Sequence, residues 1–350
     1  MEESPAKRAA LIPKSLIPCI AIGLALVFAI GLRHPWTRSE PAPTADPAEQ
    51  EQQARERPDD FHAQLQWGET LVKAQRLEEA AQVLSHARQI APNDARPYAW
   101  LGIVAISEKR PAEARSLLGE ALQHDPSNTT ALRALANLDA QMRRLRPAIR
   151  GYERLTQLRP KDADAWQRLG LLLIGAGENY RSLDALTRSA ELDPNDTMTQ
   201  GALGNMALQA GRLDQADRAF RSVLAHTPDD PQALTGLAKT KMRLDPSPVG
   251  LAAAEQQADL AVQAAASLEA YKARGQIRMT RGRLPAAIED FNACIRLDPA
   301  VREPYVLLSQ CYASSGKPDM ARKASETFER LRAAQLARDR AAGRTTEAKK

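Results

Sequence analysis

Cysteine, aromatic residues and glycine-rich loops are all scarce in this sequence, and each scarcity closes off a class of protein. The three cysteines, Cys19, Cys294 and Cys311, form no C-x-x-C pair and no metal-site or disulfide spacing. The five histidines stand singly, with none three or four residues from another, so no helical face offers two imidazole ligands and no zinc site is expected. Aromatics make up 4% of the chain, while alanine and leucine dominate the apolar residues, a balance that suits amphipathic helices and disfavours sheets. No Gly-rich phosphate loop, G-x-S-x-G or H-E-x-x-H is present, and acids and bases recur at a helical spacing that serves solubility. The expectation is a non-enzyme with no cofactor and no small-molecule substrate.

Charge of one sign is also lacking. The 48 basic and 43 acidic residues leave a net charge of +5 spread along the chain, too weak a field to call for nucleic acid.

Only one long apolar run exists. Ser15 to Leu32 holds 18 residues without a charge, enough for a helix of about 27 Å that just spans a bilayer. Lys7, Arg8 and Lys14 precede it, Arg33 and Arg38 follow, and Trp36 sits at interfacial depth. The short cationic tail of residues 1–14 favours retention of that tail in the cytoplasm, so 15–32 reads as a single-pass signal anchor in the inner membrane and the remainder as extracytoplasmic. A cleaved signal peptide ending at Ala29-Ile30-Gly31 is the competing reading, and Arg33 argues against it. Residues 33–60, with Pro35, Pro41, Pro43, Pro47 and Pro58 among polar residues, read as a linker.

Beyond the linker, prolines fall at 92, 126, 160, 194 and 228, a spacing of 34 residues four times in succession. Two residues after each comes Asp94, Asn128, Asp162, Asp196 or Asp230, a stop-and-cap signal between helices. The period marks eight units over 61–335: 61–94, 95–128, 129–162, 163–196, 197–230, 231–267, 268–301 and 302–335, followed by a basic tail over 336–350. The eighth position is always small (Gly68, Gly102, Ala136, Gly170, Gly204, Ala238, Gly275, Ser309), which lets two helices approach closely. The seventh position is usually leucine, as in Leu101, Leu135, Leu169, Leu203, Leu237 and Leu308. The sixth unit breaks the pattern with the longer turn LDPSPVG (Leu244 to Gly250) and an alanine-rich second helix, expected as a tolerated surface insertion. The closing helix is expected to run on into the first turns of the tail as a solvating cap, with a disordered end.

The stretches Trp166-Gln-Arg-Leu169-Gly170 and Gly211-Arg-Leu213-Asp-Gln-Ala216, the latter followed by Phe220 and Pro228, resemble the repeat of tetratricopeptide proteins. The resemblance covers about four fifths of the chain and implies an all-α fold. Helical hairpins would stack into a right-handed superhelical solenoid of about eight units, each steadied by its neighbours.

Proteins of this kind bind peptides or helices along the concave face formed by the first helix of each unit, chiefly at positions 2, 5, 9, 12 and 13. The resemblance therefore implies a partner-binding groove lined by Ile103, Ile106, Arg133, Asn137, Leu171, Ile174, Met198, Asn205, Leu208, Lys239, Arg243, Lys272 and Gln276. Such a groove is apolar in its middle and basic toward its C-terminal half. Exchange of Leu171 and Ile174 for glutamate is expected to abolish capture without disturbing the fold. Arg133 and Asn137 resemble the start of a carboxylate clamp, which Leu171 and the following Gly201 and Asn205 leave incomplete. The combined reading is a bacterial, membrane-anchored scaffold for a protein or peptide partner in envelope assembly or secretion. The same anchor-plus-repeat layout also resembles the apocytochrome-presenting subunits of cytochrome c maturation, which makes a carrier of unfolded substrate the alternative.

Overall fold

The computed structural model describes residues 46–347, and the apolar run at 15–32 lies outside the described residues. Among the described residues there are seventeen α-helices and no strand. They divide into two compact units that part after Asp193. The first contains α1 (Pro47–Glu56), α2 (Phe61–Lys73), α3 (Leu77–Ile90), α4 (Ala95–Ser107), α5 (Pro111–His124), α6 (Thr129–Gln141), α7 (Leu145–Leu158), α8 (Ala163–Gly175) and α9 (Asn179–Leu192). The second contains α10 (Thr197–Gln209), α11 (Leu213–His226), α12 (Pro231–Leu244), α13 (Pro248–Ala264), α14 (Leu268–Thr280), α15 (Leu284–Leu297), α16 (Glu303–Ser314) and α17 (Pro318–Glu347).

From α2 onward the helices pair as hairpins, each with a first (A) and a second (B) helix, and hairpins stack within each unit. The expected caps form. Asp60, Asp94, Asn128, Asp162, Asp196 and Asp230 each accept a hydrogen bond from a backbone N–H in the first turn of the A helix that follows. The small eighth position does what its spacing implies: a Cβ on Gly170 would lie 2.7 Å from Leu186 Cγ, so the leucine of the B helix occupies the space a side chain would need.

Seven of the eight A-to-B turns are made by one residue in the left-handed conformation. Gly177, Gly211, Gly282 and Gly316 supply it without a Cβ penalty, whereas Gln75, Lys109 and Arg143 adopt φ of 61°, 60° and 57° in the first three hairpins. The sixth hairpin replaces this turn by Asp245-Pro246-Ser247, with Ser247 capping α13 through Gly250 N.

Two elements depart from the sequence reading. The linker expected over 33–60 contains α1, which starts at a proline under the Asp46 cap and is stitched along its exposed side by Gln52–Glu56 and Glu51–Arg55 pairs. It packs on α2, burying Ala54 and taking a 2.7 Å hydrogen bond from Gln64 Nε2 to the Ala54 carbonyl. The helix ends just before Pro58, which stands 34 residues before Pro92 and is followed by the Asp60 cap. So α1 occupies the place of a B helix, and the array is larger than the eight units counted from Phe61. The second departure is α17, which stays helical to Glu347 through the expected tail.

In the second unit one layer of the core is ionic. Where other hairpins carry leucine at the seventh position, the seventh has Arg274, whose guanidinium meets Asp290 at 2.7 Å and Asp259 at 3.0 Å. Arg278 bridges Asp290 and Glu255 at 2.9 Å each, and Arg281 and Arg283 also close on Glu255. Asp290 and Glu255 are 2% and 3% exposed, and arginines surround both, which offsets the cost of burying charge there. Burial pushes the Glu255 carboxyl up, but Arg278, Arg283 and Arg281 outweigh it and hold the group below its usual value.

Candidate functional site

The A helices carry every residue of the expected groove, and the structure sorts them into three groups. Ile103 and Leu171 are buried, with Ile103 inside the hydrophobic cluster of the first hairpins and Ile106 packed against it. They are core, not contact surface. Because Leu171 is 3% exposed, a glutamate there would have to bury a charge, and the expectation that Leu171→Glu with Ile174→Glu spares the fold is withdrawn. Ile174, Leu208 and Gln276 are half-buried, whereas Met198, Asn205 and Arg243 are exposed. Arg243 Nη1 donates to the Leu208 carbonyl, which joins those two groove residues.

The basic C-terminal half is neutralised from within. Lys239 Nζ lies 2.8 Å from Glu269, and Lys272 Nζ lies 2.8 Å from both Glu269 and Glu303. These four residues form an alternating ladder across α12, α14 and α16. Burial pushes the Glu269 carboxyl up, and the Lys239 and Lys272 ammoniums more than reverse this, holding it at about 2. The lysines therefore offer no free positive field to a ligand.

The third hairpin differs. Arg133, on α6, reaches across to the start of α8, where it meets Asp164 at 2.5 Å and also closes on Asp162. Arg168 Nε meets Asp164 at 3.0 Å from the next turn of α8. Its Nη1 reaches Asn137 Oδ1 at 3.4 Å, and the Tyr152 hydroxyl donates to the same oxygen from α7. Burial pushes the Tyr152 phenol up to about 12, against the pull of Arg168, so it remains a donor throughout the working pH range.

Two donors thus converge on Asn137 Oδ1, which fixes the amide orientation, since a flipped amide would turn its NH2 toward the Arg168 guanidinium. Asn137 is 8% exposed and its Nδ2 is buried without any acceptor. Leaving such a donor unpaired costs about 1–3 kcal/mol. Arg133 and Asn137 do stand together, but as part of a polar knot in which Arg133 is spent on aspartates, not as the start of a free clamp.

The sequence reading took Asp162 only as a helix cap and assigned no role at the site to Tyr152, Asp164 or Arg168. A register rule could have found two of the partners: position 5 of one repeat meets position 2 of the next. Arg133 with Asp164 and Lys272 with Glu303 both obey it, 31 residues apart.

Models of the tetratricopeptide repeat match residues 105–172, 202–240 and 268–301. Those three stretches carry tetratricopeptide repeats, and the helical hairpins between them share the same architecture. It is 29% identical over 182 residues to cellulose synthase operon protein C of Xanthomonas axonopodis pv. citri (strain 306), a match covering 50% of this chain and 12% of that protein. It is likewise 29% identical over 185 residues to cellulose synthase 1 operon protein C of Komagataeibacter xylinus, covering 53% of this chain and 12% of that protein. The chain therefore spans only a small part of the length of these relatives. Among solved structures, YrrB, described as a tetratricopeptide protein with an unusual peptide-binding site, aligns with a TM-score of 0.50 at 22% identity over 54% of this chain and 96% of that one. That likeness shows the fold. No helix among the described residues is long and apolar enough to cross a membrane.

Proposed function

We propose that this protein is a scaffold that holds a polypeptide partner on the A-helix face of its third and fourth repeats. The observation that carries this reading is the orphaned Nδ2 of Asn137, a buried donor held in a fixed orientation by Tyr152 and Arg168. An incoming carbonyl or carboxylate oxygen would satisfy it, and a polypeptide presents such oxygens at every residue. The partner is gathered at the cell envelope. The apolar run from Ser15 to Leu32, flanked by basic residues, supports an inner-membrane anchor with the array outside the cytoplasm. Similarity to proteins named for cellulose synthase operons supports a role in an envelope assembly or secretion process.

The test uses Asn137→Asp, which keeps an oxygen to accept from Tyr152 and Arg168 while removing the donor. Full-length protein is crosslinked in its native membranes and the partner recovered with it is quantified. Recovery is expected to fall about tenfold, the equivalent of one lost hydrogen bond, with circular dichroism unchanged. Undiminished recovery would sink the assignment. A reporter fused after Leu32 that is active only in the cytosol would overturn the compartment.

A further inference from the structure

On the opposite, B-helix side of the first unit lies a cleft of about 710 Å³ between α7 and α9, with α8 as its floor. Trp166, Leu169 and Leu173 form that floor, and Ala185 lies on the α9 wall. The same place between the first and second hairpins is filled. There Leu117, the counterpart of Ala185, packs against the hydrophobic cluster, and Arg88, the counterpart of Thr156, lays its guanidinium 5.7 Å from the ring centroid of Tyr98, the counterpart of Trp166. Between the third and fourth hairpins both fillers are missing. Ala185 is too short to reach across, and the Thr156 hydroxyl turns back to the Glu153 carbonyl at 2.9 Å. Neither Ala185 nor Thr156 therefore fills the space above Trp166, as Leu117 and Arg88 do two repeats earlier.

The charges on its rim give the occupant its sign. Glu153 is paired with Arg181, which also holds Glu178, and Arg188 is paired with Glu191 at 2.9 Å. Asp184, exposed on α9 between these pairs, has no hydrogen-bond or ionic partner among the described residues. The cleft is open to solvent, unlike the enclosed sites that bury most of a small ligand, so it suits a side chain projecting from a larger partner.

We infer that this cleft is a second docking site, for a polypeptide segment that places an aromatic or branched aliphatic side chain against Trp166 and an adjacent lysine or arginine on Asp184. The apolar residue takes the space that Leu117 fills two repeats earlier, and the cation supplies the one charge the rim lacks. The site is independent of Asn137, so a partner can be gripped on both faces of the same pair of hairpins.

The test measures fluorescence polarisation of labelled, acetylated octapeptides with central Phe-Lys, Phe-Glu or Ser-Lys against the full chain. Phe-Lys is expected to bind at least about tenfold tighter than either of the others, the scale of one satisfied charge or one buried ring. Ala185→Leu, which restores the filler, should abolish binding. Asp184→Lys, an exposed change that leaves the packing alone, should reverse the preference to Phe-Glu, while Asn137→Asp should leave binding unchanged. Equal binding of the three peptides, no binding of Phe-Lys at millimolar concentration, or retention of the preference in Asp184→Lys would overturn the inference. So would self-association that Ala185→Leu removes, since the cleft would then belong to a second copy of the chain.

Discussion

Arg274 on α14 and Asp290 on α15 stand sixteen residues apart in sequence and in direct contact: the guanidinium of one closes on the carboxylate of the other at 2.7 Å, at a core position where six other hairpins carry leucine. The Asp290 side chain is almost fully buried, and Arg274 and Arg278 both close on it. Together with Arg278, Glu255 and Asp259 they tie α13, α14 and α15 into one ionic layer.

Arg274→Leu restores the usual residue but leaves Asp290 with Arg278 alone. The single change is expected to destabilise the second unit by about 3 kcal/mol. Adding Asp290→Ala should recover about 2 kcal/mol of that loss through the coupling of the pair. Urea unfolding of the full chain, completed as a double-mutant cycle, measures both numbers.

The left-handed turn residues offer the opposite sign. Lys109 holds φ of 60° where later hairpins use glycine. Lys109→Gly is expected to stabilise the protein by about 0.5–1 kcal/mol, because removal of the Cβ strain exceeds the added freedom of the unfolded chain. Lys109→Ala, which retains the Cβ, should melt with the parent in a calorimetric scan and separates backbone strain from loss of the lysine charge.

The lysine–glutamate ladder makes an acid-side prediction. Glu269 is held at about 2 in the folded chain, against 4.5 as its ordinary value. A group depressed by folding stabilises above its unfolded value and loses that contribution as pH falls through the folded one. The stabilisation is therefore present at neutral pH and fades from about pH 5 toward pH 2. Because about half of the Glu269 side chain faces water, its worth is about 1 kcal/mol or less. Glu269→Gln should lower stability at pH 7 by that amount and leave it unchanged near pH 2, as followed by thermal melts across the range.

Much of the fold was legible because it is written in one period. The prolines from 92 to 228 and the capping residues after them mark the hairpins, and those caps form as read. Helix α1 was overlooked although Pro58 and Asp60 continue the same ladder, because its polar composition masks a helix that buries little beyond Ala54. The groove was harder to read. Position within a single repeat says which way Arg133, Lys239 or Lys272 projects, and the acid that meets it shows only when two adjacent repeats are read together. Ile103 and Leu171 share the register of contact positions yet are covered. Burial in a stack depends on what the neighbouring hairpin brings, and a repeat considered singly does not contain that information.

The half-unit formed by α1 bears on how the molecule behaves at concentration. A stack of hairpins ending on a bare A helix would present an apolar face on which another copy could continue the pile, a head-to-tail arrangement with no natural stop. Here that face is already occupied, and what α1 turns outward is Glu49, Gln52, Arg55 and Glu56, all exposed. The same short helix thus replaces a bare apolar end with a charged one.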